Sequence, residues 1–246
     1  MLNINTKPKI KREKSMKINR SDIEEKGYGE TWQYFCSVYN SFEAMRASYH
    51  MINACLDKRK SNFKGIVEGK SEISENEKMS LLPGDIVCID GINMSISFII
   101  NMNLQSFFQF GRNSFDYMSQ VIAAIFCKDL NIYNVDFQKL ILKEERLQNE
   151  EVRKFIIDIS QSENYKYLCD FNNIVKHNYY PQILISMRVD SLDFIGKIPA
   201  FSKGVKKDEV HLYDEENVKE KIKKIYDFTL DTFDSLLKII MPEKEI

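Results

Sequence analysis

A chain of 246 residues that is 43% hydrophobic and 29% charged has enough apolar material to bury roughly 70–75% of its unfolded surface in a single domain, without help from metals or disulfides. Apolar runs such as Ile96 to Ile100 are far shorter than the roughly 20 residues that cross a membrane, and the N-terminus lacks the apolar core of a secretory leader. A cytoplasmic protein with no membrane span is expected.

The formal net charge of −1 is unevenly placed, because the first twenty residues hold seven Lys or Arg and a single Glu. Residues 1–20 form a basic arm ahead of an acidic body, 21–246. Two readings of the arm stand: it neutralises phosphates, releasing counterions, or it is a solvated tail without an aromatic residue to stack on bases. The five cysteines, Cys36, Cys55, Cys88, Cys127 and Cys169, are set singly in apolar stretches, as reduced thiols of a cytoplasmic protein are. No Cys-x-x-Cys pair offers a zinc site, and no metal or cofactor is expected.

Taken in chain order, Thr31 to about Asp57 reads as a long helix, since Trp32, Phe35, Val38, Phe42, Met45, Tyr49, Ile52 and Leu56 recur every three or four residues. Lys58 to Lys78 is charged and aperiodic and reads as a loop closing at Pro83-Gly84. Ile86 to Phe98 fits either a hairpin about Asp90-Gly91 or a helix capped by Asp90, and the helix is preferred. From Leu104 the stripe Phe108, Gly111, Phe115, Met118, Ile122 and Ile125 predicts a helix ending near Cys127.

Further helices are predicted over Glu145–Ser160 and Glu163–Tyr179, the latter stopped by Pro181, which has no backbone donor and restricts the residue before it. Alternation from Ile183 to Asp190, followed by Gly196, Pro199 and Gly204, predicts a small β insertion over about 182–213. The last helix begins at an Asp214 cap and carries Val218, Ile222, Ile225, Thr229, Phe233, Leu236 and Ile240 on one narrow stripe to Pro242. The architecture expected is mainly α: a helical bundle with long core helices and a small β insertion.

The stretch "CDFNNIVKHNYYP", Cys169 to Pro181, sets polar groups into a helix. On a 100° wheel with Leu168 at zero, Asn173 and His177 fall near 140° and 180°, neighbours on the side opposite the Leu168, Phe171, Val175 and Tyr179 stripe. The segment "NNIVKHNY" resembles the motif of the HEPN superfamily, in which an Arg, often followed by Asn, Asp or His, precedes a His by about five residues, sometimes with a Tyr beyond. In this chain Asn172 takes the Arg position, Asn173 the polar follower, His177 the histidine and Tyr179 the tyrosine. A long helix with "RNSFDYMSQ" (Arg112 to Gln120), a second helix, the motif helix and a long terminal helix extend the resemblance over about 95–241.

The resemblance implies a HEPN-like bundle of a defence or toxin type system. It implies a homodimer bringing two motif helices together, RNA as target, and a partner protein such as an antitoxin or a nucleotidyltransferase. In active members RNA is cut without metal, a role in which His177 would move a proton at the ribose or the leaving oxygen, with Asn173 and Tyr179 nearby. The departure at Asn172 argues for weak or absent catalysis, since losing one preorganised donor costs about a hundred- to thousandfold in rate. Arg112, Lys176 or Arg188 would have to refill that position. The same departure leaves open a non-catalytic module that binds RNA, nucleotide or a protein partner.

Arg112 and Asp116, four residues apart, read as a surface ion pair on their helix, the alternative being a buried pair facing the motif helix. Arg46 and His50 read as helix surface or satisfied core. No Gly-x-x-x-x-Gly-Lys-Ser/Thr, Gly-x-Gly-x-x-Gly, His-Glu-x-x-His or Gly-x-Ser-x-Gly motif is present, which argues against the usual nucleoside triphosphatases, dinucleotide enzymes, zinc proteases and esterases.

Overall fold

The apolar stripe that starts at Trp32 needs a partner along its whole length, and that partner is the helix bearing Arg112. The computed structural model describes residues 19–68, 86–89, 91–127, 130–177, 181–188, 193–206 and 209–242; the basic arm before residue 19 and the tail after 242 lie outside them. After a short α1 (Arg20–Glu25), α2 spans Trp32–Glu68 and α3 spans Ile96–Phe126. The two run antiparallel: Arg59 near the end of α2 donates to Ser97 Oγ at the start of α3, at 2.9 Å, while Met45 lies against Gly111 farther along.

The charged stretch expected to be a loop from Lys58 is therefore helical as far as Glu68, carried past its apolar stripe by cross-helix contacts such as that of Arg59. The preference for a helix across Ile86 to Phe98 is also corrected. β1 (Ile86–Ile89) and β2 (Ile92–Ser95) form an antiparallel hairpin with Ile89 opposite Ile92. Gly91 adopts φ +80°, which a two-residue hairpin loop requires and glycine supplies without a Cβ clash. Helix α3 then starts from Ser95, whose hydroxyl accepts the Phe98 N–H at 3.1 Å, so Ser95 and not Asp90 is the cap.

Beyond α3, the short α4 (Phe137–Ile141) is capped by Asp136, which accepts the Lys139 N–H at 2.8 Å. Helix α5 (Glu150–Gln161) begins five residues later than expected, at an Asn149 cap, because Glu144–Arg146 forms a separate 3-10 turn. The motif helix α6 (Glu163–His177) follows after Ser162 alone. It closes the bundle against α3, with Phe108 and Phe171 ring centroids 4.1 Å apart and Leu168 at Gly111.

Strands β3 (Leu184–Arg188), β4 (Asp193–Ile198) and β7 (Glu216–Asn217) form one antiparallel sheet, and β5 (Phe201–Lys206) with β6 (Glu209–Tyr213) a separate hairpin. The terminal helix α7 spans Val218–Ile240. Its cap is Asn217, whose side chain accepts the Lys219 N–H at 2.9 Å, not Asp214: pairing of Glu216 and Asn217 with β4 keeps the chain extended past Asp214. The fold is mainly helical with a strand-built insertion ahead of its last helix, and no helix among the described residues is long and apolar enough to cross a membrane.

Candidate functional site

Helix α6 carries two polar surfaces. Glu163, Lys166, Asp170, Asn173 and His177 recur at three and four residues and fall within an arc of about 80°, a stripe running roughly 20 Å along the helix. Tyr165, Cys169 and Asn172 lie about 110° around the helix from the middle of that stripe and are buried against the bundle.

On the buried side the Arg112 guanidinium of α3 donates to the Tyr165 hydroxyl, donates to Cys169 Sγ at 3.3 Å and pairs with Asp116 Oδ1 at 3.2 Å. Its side chain is 11% exposed and that of Asp116 29%, so the surface-pair reading is corrected: this is a partly buried pair facing the motif helix. Asp116 also accepts the Phe137 N–H at 3.1 Å, satisfying an orphan donor at the start of α4. The Tyr165 ring packs edge-on to Phe115 at 5.0 Å and also meets Phe137 at 5.0 Å, an aromatic wall that turns the pair inward.

Burial alone would lower the pKa of Arg112, but Cys169, Tyr165 and Asp116 hold it above its ordinary value. Burial pushes Asp116 up against the opposing pull of Arg112, and it pushes the Cys169 thiol up. In this arrangement the Cys169 sulfur serves as an acceptor for Arg112.

The motif residues divide between the two surfaces. Asn172 is 5% exposed and lies about 140° around the helix from His177. Asn173 is half-buried on the stripe, while Lys176 and His177 are exposed at the C-terminal end of α6. Tyr179 lies outside the described residues. Arg188 ends β3 opposite Asp193. Arg112 is thus committed to the core interface, and Lys176 is exposed beside His177.

The stripe also holds a group that the motif did not point to. Asp170, 8% exposed, meets His211 of β6, with Nδ1 to Oδ2 2.6 Å, and the Tyr213 hydroxyl donates to the same oxygen at 2.8 Å. Burial and this bond to Asp170 raise the Tyr213 hydroxyl pKa. Beside them opens a cleft of about 590 Å³ lined by Lys166, Tyr167, His211, Tyr213, Lys221 and Lys224 among others. Within it the 7%-exposed Lys221 pairs with Glu216 at 2.6 Å and lies 3.7 Å from the Tyr167 ring centroid.

The sequence signal for Asp170 was its place seven residues before His177 on one helix face. For His211 it was alternation along β6, which places it on the same strand face as Tyr213. Among the described residues no group of three or more His, Cys, Asp or Glu is disposed to hold a metal ion. Comparison with known proteins finds no matching family model, no matching curated protein and no matching solved structure.

Proposed function

We propose that the chain is a HEPN-like helical bundle that acts on RNA at the outer stripe of α6, with His177 as a proton carrier in metal-independent endoribonucleolytic cleavage. The observation that carries this reading is the stripe itself: an exposed histidine shares one helix face with Asn173, Asp170 and Lys166. Asn173 would hold substrate by its amide, and Lys166 and Lys176 would offer charge to phosphate.

Placement in a defence or toxin type system, a cytoplasmic setting, a homodimer and a partner protein such as an antitoxin or nucleotidyltransferase belong to the same proposal. They rest on the motif and its helical context.

The test is cleavage of a mixed RNA pool in EDTA by the wild-type protein beside His177→Ala. Cleavage that disappears in the variant is expected. Equal cleavage by both overturns the assignment to His177.

A second reading, a non-catalytic module of the same kind binding RNA, nucleotide or a protein partner, is favoured by one observation. Asn172 is buried and Arg112 is held by Asp116, Tyr165 and Cys169, so neither offers a fixed positive fork to a phosphate. RNA retained by the wild-type protein without cleavage would select it.

A further inference from the structure

We propose that the cleft beside His211 takes an extended peptide segment of another protein, laid as an added strand on the open edge of β6. The site goes beyond the RNA reading and does not rest on it. Glu163 and Lys166, which line the cleft, lie in the first turns of α6, roughly 15–20 Å along its axis from His177.

The run Val210 to Asp214, four residues of β6 and the one after it, lines the cleft without a gap. Successive side chains of a strand point to opposite faces, so a hollow over one face of β6 would meet alternate residues only. A hollow that meets every residue in turn runs along the edge of the strand. Strand β5 pairs along one edge of β6, and among the described residues no strand pairs along the other. Alternate residues on such an edge direct a backbone N–H and C=O away from the sheet, where an extended chain can pair with them. The run spans about 13 Å, the reach of a short peptide segment.

Helices form the facing walls: α6 supplies Glu163 and Lys166, and α7 supplies Lys221 and Lys224. An edge faced by two helices across a cleft of about 590 Å³ has room for one extended chain and not for the hairpin of a second copy. The contacts of His211 and Tyr213 with Asp170 fasten β6 to α6, so the edge is in place before a peptide arrives, and ordering it costs no affinity.

The lining matches the chemistry of a peptide. Tyr167 is 1% exposed, and its hydroxyl has no hydrogen-bond partner among the described residues. A buried orphan of this kind calls for a partner, and an acceptor on the incoming chain would supply one. Val210 and Leu212 are 55% and 78% exposed, and an added strand covers such side chains with its own across the ladder. The charges are of both signs: Lys221 is held by Glu216, while Lys166 and Lys224 are exposed along with Glu163 and Asp214. Nucleic acid phosphates carry one sign, as does nearly all the charge of the basic arm over residues 1–20, so neither complements these walls. A segment that alternates apolar side chains with charged ones of both signs does.

The experiment selects dodecapeptides from a random displayed library on the full chain. The leading peptide, and two forms of it N-methylated at alternate amides, are then titrated by fluorescence anisotropy, with hydrogen exchange of the chain followed in parallel. One methylated form is expected to bind about tenfold or more weakly and the other as the parent does, because only alternate amides of an added strand face its neighbour. Exchange is expected to slow at alternate residues of β6. Tyr167→Phe is expected to weaken binding about two- to tenfold, the worth of one neutral hydrogen bond. The exposed Lys224→Glu is expected to shift affinity without unfolding the chain, as circular dichroism checks.

No peptide retained by the wild-type chain overturns the proposal. So do methylated forms that bind alike, or exchange in β6 that a bound peptide leaves unchanged. Affinity unaltered in both Tyr167→Phe and Lys224→Glu places the peptide elsewhere and overturns it too. The methylated forms need no variant and decide the matter if Tyr167→Phe does not fold.

Discussion

Arg112 donates to the sulfur of Cys169 at 3.3 Å across the interface of α3 and α6, on the buried side of the motif helix. The same guanidinium meets Tyr165 and Asp116. Arg112→Ala strips partners from buried acceptors and is expected to cost about 2–4 kcal/mol. Urea denaturation checks it, and a loss of a few tenths would return the pair to the surface-bridge class.

At Gly111 an added Cβ would stand 3.0 Å from Leu168 Cδ1 and 3.2 Å from Met45 Cε, where three helices meet. Gly111→Val is expected to lower stability by about 1–3 kcal/mol through overpacking. Gly111→Ala is expected to lose less, because Met45 and Leu168 can yield at their ends and alanine favours helix. Thermal midpoints of the two variants give the order, and valine equal to alanine would refute close packing here.

Lys221 keeps its ammonium between Glu216 and the Tyr167 ring. Glu216→Ala leaves that buried charge without its carboxylate and is expected to cost about 1–3 kcal/mol. Lys221→Met retains the stem's packing and removes the charge, so its loss is expected to be smaller. Chemical denaturation of both variants tests the ranking, and the reverse order would contradict it.

Burial works against the ionised Asp136 carboxyl, but the Lys139 N–H and ammonium outweigh it and hold its pKa below the ordinary value. A carboxyl with a lowered folded pKa adds stability above its unfolded value, near pH 4, and loses it as pH falls through the folded value. Asp136→Ala is expected to cost about 0.5–2 kcal/mol at neutral pH through loss of the cap. The gap from wild type should shrink below about pH 4. Denaturation at pH 7 and pH 3 checks this, and a constant gap rejects it.

The helices with one narrow apolar face were legible: the stripes of α2, α3 and α7 placed all three, because a 3.6-residue period has no strand counterpart. Ends were less so. Asp214 and Asn217 are both good caps, and the choice fell to pairing of Glu216 and Asn217 with β4, a contact distant in sequence. Ile86 to Phe98 satisfied two periods at once, and the loop at Gly91 decided between them.

In the site, the wheel correctly put Asn173 and His177 on one face. The inward turn of Arg112 depended on an aromatic wall from α3, α4 and α6 that spacing on one helix cannot reveal. His211 was hidden for a related reason: alternation defines two faces of β6, and its aliphatic residues favour burying the wrong one.

Among the described residues the β5 and β6 hairpin pairs with no other strand, and a two-stranded sheet has little stability of its own in water. Phe201 and Tyr213, stacked at 4.6 Å, and the bonds to Asp170 attach it to α6. Its amide protons are therefore expected to exchange before those of α3 and α7.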